Sequence, residues 1–328
     1  MDSIYQKICQ SSIHNRVMEG ASGELFLATP RRWIEEYVAG ERQISQEMLG
    51  VFSENLRQRQ QLMRALGGAY IHMVAPDKQS VYMRQFVGDD VIRIAEVYQA
   101  QQREPFVYPL QDMIAASHQQ RVYHLTDFHW NAFGALVGLR AILEALKHPN
   151  LHEVIEKWRA RIACKSDWSG DLGRLLTPKR QEDAWVFASN KKDRAKIERY
   201  SSHCQGMFGK VLLWRHPEAL TQQRLLIFAD SFLEALLPPL ADLYTEVLFV
   251  RSHYCHADLV QAYRPDVLLT SSAEGYMCSI HSDQRARPFL DFMQVHCDLS
   301  QCDAPLLQYI QDLLTPQTVT SIEPLSTS

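Results

Sequence analysis

The sequence has no Cys-x-x-Cys pair, and its seven cysteines (Cys9, Cys164, Cys204, Cys255, Cys278, Cys297, Cys302) are odd in number and widely spread. That excludes both a regular disulfide framework and a zinc module of recognisable spacing, and it suits reduced thiols. Blocks of like charge are also missing: 34 basic against 38 acidic residues leave a net charge of −4. Without a basic stripe there is no electrostatic footprint for a phosphate backbone, so a nucleic-acid partner is excluded. A bilayer span needs ~20 consecutive apolar residues. The richest stretch, 225–250, is broken by Asp230, Glu234, Asp242 and Glu246, so no membrane insertion is expected. Residues 1–7 show no basic region leading into an apolar run, which as read means no secretory signal and a cytoplasmic chain. Neither Gly-x-Gly-x-x-Gly nor Gly-x-x-x-x-Gly-Lys-Ser/Thr occurs, so no nucleotide-phosphate cradle is supported. Internal repeats and low-complexity stretches are absent too.

What remains is 328 residues, 46% hydrophobic and 22% charged, enough for one large core or two smaller ones. Short apolar or β-branched runs alternate with longer amphipathic ones, the pattern of strands and crossover helices. Strands are expected at 24–29, 69–75, 121–125, 184–188, 210–214, 225–229, 246–250 and 266–270. Helices are expected at 43–66, 90–101, 110–119, 131–147, 232–244, 257–262 and 305–314. The fold class is therefore α/β, a three-layer, flavodoxin-like arrangement on a mostly parallel sheet. Residues 20–314 read as the main domain, preceded by an extension at 1–19. The more polar stretch 151–205, with Lys191-Lys192-Asp193-Arg194, reads as a surface insertion, and 315–328, rich in Thr, Ser and Pro, as a loose tail.

Two segments can carry chemistry. In Asp127-Phe128-His129-Trp130-Asn131 a strand gives way to a helix, and residues two apart project to one side. Asp127 can thus accept a hydrogen bond from His129, which fixes the tautomer that a general base requires. Asn131 is placed as the helix N-cap, and Trp130 beside the site, where its flat face suits a sugar or acyl group. In Ala229-Asp230-Ser231-Phe232 an apolar strand runs into a helical pattern. Ser231 falls on the turn, at the rim where parallel sheets bind ligands, with unpaired backbone N–H groups beside it. Taken alone, each segment also has a plain reading: Asp230 or Ser231 as an N-cap, Asp127 and His129 as loop residues, Trp130 and Phe133 as core.

Resemblance across most of the chain separates these readings. Gly20-Ala21-Ser22-Gly23-Glu24-Leu25-Phe26-Leu27, Val74-Ala75-Pro76-Asp77-Lys78 with Tyr82, Asp127-Phe128-His129-Trp130-Asn131, Gly170-Asp171-Leu172, Ala229-Asp230-Ser231-Phe232 and Pro265-Asp266 stand in order. This series resembles the alginate O-acetyltransferase family, an SGNH-hydrolase-like group. The resemblance implies Ser231 as nucleophile, His129 as general base and Asp127 as its orienting acid. It implies acyl transfer to a glycan or polysaccharide hydroxyl through an acyl-enzyme, with an acetyl donor, small molecule or protein, as co-substrate and no resident cofactor. It also implies periplasmic action for a chain that carries an export signal. Asp230, Trp130, Asn131, Gly170, Asp171 and Tyr254 are the candidates for oxyanion or substrate contacts. Ala229 stands where the family has glycine, and Glu274-Gly275 where it has Glu-Arg, which removes a basic substrate contact. Two other readings of the same residues stay open: a carbohydrate esterase using the same triad with water as acceptor, and a catalytically silent glycan-binding member of the fold. His253-Tyr254-Cys255-His256, and His296 with Cys297 and Cys302, group soft ligands, but neither spacing is that of a zinc site, and no metal is expected.

Overall fold

The computed structural model describes residues 17–20, 22–27, 44–82, 93–102, 106–188, 195–204 and 206–315. Most of the expected extension, the ends of the first strand and the starts of the first two helices, Lys191–Arg194 and the tail from 316 lie outside them. Its strands are Val17–Glu19 (β1), Leu25–Leu27 (β2), Ala69–Ala75 (β3), Ile162–Trp168 (β4), Glu182–Phe187 (β5), Glu198–Ser201 (β6), Val211–Arg215 (β7), Arg224–Ala229 (β8), Glu246–Arg251 (β9) and Val267–Ala273 (β10). The helices are Gln46–Leu66 (α1), Lys78–Tyr82 (α2), Ile94–Gln101 (α3), Leu110–Ser117 (α4), Ala132–Ala145 (α5), Leu151–Arg159 (α6), Leu237–Leu243 (α7), Ala257–Tyr263 (α8), Phe289–His296 (α9) and Ala304–Leu314 (α10).

Strands β3, β10, β8 and β9 pair in parallel, and β7 and β6 extend the same sheet antiparallel, in the order β3-β10-β8-β9-β7-β6. The parallel strands are apolar on both faces because helices cover both. Ile227, Ala229, Leu269 and Phe249 pack with Leu139, Ile142, Val154 and Leu240 of α5, α6 and α7. On the opposite face Leu226, Phe228, Leu248 and Leu268 pack with Met63, Leu259, Phe289 and Ile310 of α1, α8, α9 and α10. The result is the three-layer α/β arrangement expected from the alternation.

Local chemistry sets the boundaries. Helix α1 begins where the Ser45 hydroxyl accepts from the Met48 amide, and it ends at Gly67, whose φ of +75° only glycine adopts freely. The helix expected over 232–244 is two pieces, a 3₁₀ turn Ser231–Leu236 followed by α7. Pro238 and Pro239 occupy the first turn of α7, where their missing N–H groups cost nothing, and the second cannot continue a helix from the turn before it. The strand expected at 121–125 does not form. Tyr123 makes one bridge to Trp130, and the rest of that segment is a loop whose backbone is satisfied partly by isolated backbone bonds and partly by side chains. The stretch 151–205 supplies α6, the separate β4–β5 hairpin and β6, the edge strand of the main sheet. Helices α2, α6 and α9 and strands β1, β4 and β6 escape the periodicity, mostly because they are short or mixed in polarity. No helix among the described residues is long and apolar enough to cross a membrane.

Helix α5 lies unusually close to the loop before it. A Cβ on Gly134 would stand 2.1 Å from the Val122 carbonyl oxygen, and one on Gly138 2.8 Å from the Trp130 indole. Thus the small-residue spacing serves contact with that loop. Gly134→Ala must push α5 off backbone, and is expected to lower stability by about 1–3 kcal/mol, read as a shift of the urea midpoint at unchanged slope.

Candidate active site

The loop 122–131 belongs to no sheet, and β2 reaches it through one bond, from the Leu25 amide to the Leu125 carbonyl at 2.8 Å, so most of its buried polar groups need other partners. Lys78 of α2, 1% exposed, donates from Nζ to the carbonyls of Leu25 (2.8 Å), His124 (2.6 Å), Leu125 (3.1 Å) and Asp127 (3.0 Å). Burial pulls this ammonium down to about 7, against the opposing pull of Glu182, Asp127 and Glu24. From the other side, Glu182 of β5 accepts from the amides of Leu125 (2.7 Å) and Thr126 (2.6 Å) and from the Thr126 hydroxyl (2.7 Å). The Thr126 hydroxyl in turn accepts from the Gly170 amide at 2.9 Å.

This held loop presents Asp127 and His129. Asp127 Oδ1 accepts from the His129 amide at 2.9 Å and pairs with its Nδ1 at 2.8 Å, and Oδ2 accepts from the Asp171 amide at 2.7 Å. With a carboxylate on Nδ1, that nitrogen carries the proton and Nε2 is the acceptor. Burial pushes the Asp127 carboxyl up, but the hydrogen bond and charge of His129 and the two amides outweigh it and bring it down to about 2. Gly170 is required here: a Cβ would come within 2.5 Å of Asp127 Cβ.

The second half arrives on β8. Asp230 caps the 3₁₀ turn, its Oδ1 accepting from the Phe232 amide (2.9 Å) and its Oδ2 from the Ala273 amide at the end of β10 (2.5 Å). Burial raises its carboxyl, partly offset by those two amides. Ser231 then lies on the carboxyl-end rim of the sheet, with Oγ 2.8 Å from His129 Nε2. Residues 102 positions apart in sequence meet in a continuous relay, carboxylate to imidazole to hydroxyl. His129 and Ser231 are half-buried and open to a ligand, whereas Asp127 is buried.

The other candidates divide. Gly170 and Asp171 are at the site, through their amides; the Asp171 carboxylate pairs with Arg174 instead. Trp130 offers no face to a substrate. It is 2% exposed, its indole N–H donates to the Phe232 carbonyl at 3.0 Å, and its ring packs edge-on to Phe232. Asn131 is likewise buried, capping α5 through the amides of Phe133 and Gly134 and donating to the Arg121 carbonyl. Tyr254 lies beside His281 and His256, with ring centroids 6.1 and 6.5 Å away. His256 is engaged by Ser252 Oγ and the Arg287 carbonyl. At the glycine of Glu274-Gly275, a Cβ would stand 2.7 Å from Asp77 Oδ2. Glu274 itself is buried, accepting from Ser80 Oγ (2.5 Å) and the Asp77 amide (3.2 Å). Among the described residues, Asp127, His129 and Asp171 bring ligand atoms within 4.8 Å of one another, but the imidazole nitrogens of that group already face Asp127 and Ser231. Lys78 and Glu182 are the supporting residues that sequence reasoning missed. Lys78 stood within a quoted motif without a role, and no local signal marks Glu182.

A layered sheet carrying these groups at its carboxyl-end rim defines the class as an SGNH-hydrolase-like α/β protein. Residues 19–211 match the family model described as "SGNH hydrolase-like domain, acetyltransferase AlgX", and the chain belongs to this alginate O-acetyltransferase-like family. The match includes Asp127 and His129 and ends before Ser231. In fold, the chain is similar to Bacillus cereus PatB1 solved with a sulfonyl adduct (12% identity, 81% of this chain and 100% of that one, TM-score 0.59). It is similar also to a DHHW family protein from Eubacterium siraeum (13% identity, 82% and 94%, TM-score 0.58). No curated protein matches the sequence.

Two outcomes follow from the loop's supports. Lys78→Met leaves several buried carbonyls without a donor and is expected to cost roughly 3 kcal/mol or more, read by chemical denaturation. For Asp127 the folded pKa lies below the unfolded value near 4, so its stabilisation is fully present above about pH 4 and lost as pH falls through about 2. The stability gap between wild type and Asp127→Asn should therefore be level above pH 4 and close by about 2 kcal/mol toward pH 2.

Proposed function

We propose that the protein is an O-acetyltransferase acting on a glycan or polysaccharide hydroxyl through Ser231, His129 and Asp127. The observation that carries this reading is the 2.8 Å approach of Ser231 Oγ to an imidazole nitrogen whose other nitrogen is held at 2.8 Å by a carboxylate. Membership of an acetyltransferase family supplies the group transferred.

Ser231 Oγ attacks the carbonyl carbon of an acetyl donor while its proton passes to His129 Nε2. Asp127 stabilises the imidazolium that forms, as its depressed pKa suits it to do. The Ser231 amide, at the first position of the 3₁₀ turn, holds the tetrahedral oxyanion in this reading, since a first-turn N–H has no acceptor inside its own turn. The donor's leaving group departs with the proton, and acetyl remains on Ser231. His129 then takes the proton of the acceptor hydroxyl as its oxygen attacks the acyl-enzyme, and returns that proton to Ser231. Asp230 and Trp130 act by position, holding the turn from β10 and from the His129 loop.

The test is Ser231→Ala with an activated acetyl ester and an oligosaccharide. Turnover should fall by about three orders of magnitude or more, and wild type should yield oligosaccharide heavier by one acetyl group. Full activity in folded Ser231→Ala overturns the assignment, and release of free acetate with unchanged sugar makes the protein an esterase.

A further inference from the structure

Away from the active site, Cys204 and Cys297 face each other across an isolated antiparallel bridge that joins the end of β6 to the end of α9. The Asp298 amide donates to the His203 carbonyl at 3.0 Å, so the hydrogen bond flanks the cysteines instead of joining them. This is the non-hydrogen-bonded kind of antiparallel pair, with Cα atoms ~4.5 Å apart and side chains at their closest. A disulfide accepts Cα separations of about 4.4–6.8 Å. We infer that Cys204 and Cys297 form a redox-reactive dithiol, a modification site that takes up a small-molecule disulfide of the glutathione type and closes to an intramolecular cystine.

The two thiols have different access. Cys204 is half-buried, while Cys297 is buried and its Sγ–H donates to the Gly209 carbonyl at 3.0 Å. Burial, with the neighbouring Cys302 and Cys204 thiols adding to it, pushes Cys297 up to about 11, so Cys204 is the sulfur that reacts first. The Cys204 thiol gives up its proton, its sulfur attacks the small disulfide, the S–S bond breaks, and one small thiol leaves with that proton. Cys297 then attacks Cys204 Sγ in the mixed disulfide, its own proton leaving with the second small thiol. Two protein thiols are oxidised and one small disulfide is reduced to two thiols.

Cys302 lies nearby, its thiol on the Asp298 carbonyl at 3.4 Å. A thiophilic metal would need the three sulfurs drawn together. Among the described residues, however, the ligand group clustered within 4.8 Å is the one at Asp127, not this one. The backbone register favours the pair. Closure would fasten the start of the turn that carries Phe208 onto His253, 4.4 Å between rings, and Lys210 onto Glu234 beside the nucleophile.

The experiment is to incubate the full chain with excess oxidised glutathione at pH 8, alkylate remaining thiols in denaturant, and digest with a protease cutting before aspartate. Cleavage before Asp291, Asp298 and Asp303 puts Cys297 and Cys302 on separate peptides. The expected result is a peptide pair linking Cys204 to Cys297 that is lost on reduction, lost in Cys204→Ser and Cys297→Ser, and retained in Cys302→Ser. Overturning results are a link from Cys302 to either residue, a mixed disulfide stopping on Cys204, or thiols that react only after a chelator removes bound zinc. Because Cys204→Ser changes a half-buried residue, it tests the proposal even should Cys297→Ser fail to fold.

Discussion

A buried loop outside any sheet has a row of backbone carbonyls and amides that water cannot reach, and each one left unpaired costs roughly 1–3 kcal/mol. Residues 124–127 resolve this with two ionisable side chains of opposite sign. Lys78 gathers three carbonyl oxygens of the loop and that of Leu25 on β2, and Glu182 gathers two amides and a hydroxyl. The ammonium replaces missing strand donors and the carboxylate replaces missing strand acceptors, so the loop's backbone is held without a continuous ladder. On it Asp127 and His129 share one hydrogen-bonding geometry.

The same constraint explains how the two halves of the site are brought into register. His129 is carried by a loop ending in α5 and Ser231 by a turn at the end of β8, and nothing in their sequence separation brings them together. Trp130 does much of this. Its ring is buried against Phe232 and Gly138, and its N–H is bonded to the Phe232 carbonyl one residue beyond Ser231. Asp230 anchors that turn from the opposite side, to the end of β10. Each half is thus tied to the other by a bond one residue away from His129 and Ser231, which leaves both of those side chains half-exposed.

How far this could be read in the sequence depends on the range of the interaction. Strands β3, β8, β9 and β10 were legible because burial on two faces leaves an apolar run, and the Asp127–His129 pairing was legible because it is two residues long. Ser231 as a rim residue followed from a strand passing directly into a turn. Glu182 was not legible: it acts across 56 residues from a hairpin whose alternation is weak, and a lone glutamate in a polar stretch looks solvated. Trp130 was misplaced for a related reason. An aromatic beside a catalytic pair serves equally well as a substrate platform or as a strut, and only the position of Phe232, 102 residues on, decides between them.

That decision bears on where a substrate can bind. With Asp127, Trp130 and Asn131 committed to the interior, Phe128 and His129 are the residues of 127–131 that keep partial exposure. Beside the turn of Ser231, β9 ends at Arg251, whose carbonyl accepts from the Gly209 amide of the turn 206–210 at 3.0 Å. There Glu234, in the 3₁₀ turn that Ser231 begins, pairs with both Lys210 and Arg251. The Asp127–His129–Ser231 relay is thus held by one set of hydrogen bonds, and Lys210 and Arg251 by another through Glu234, so a substitution of either base leaves the hydrogen bonds of the relay in place.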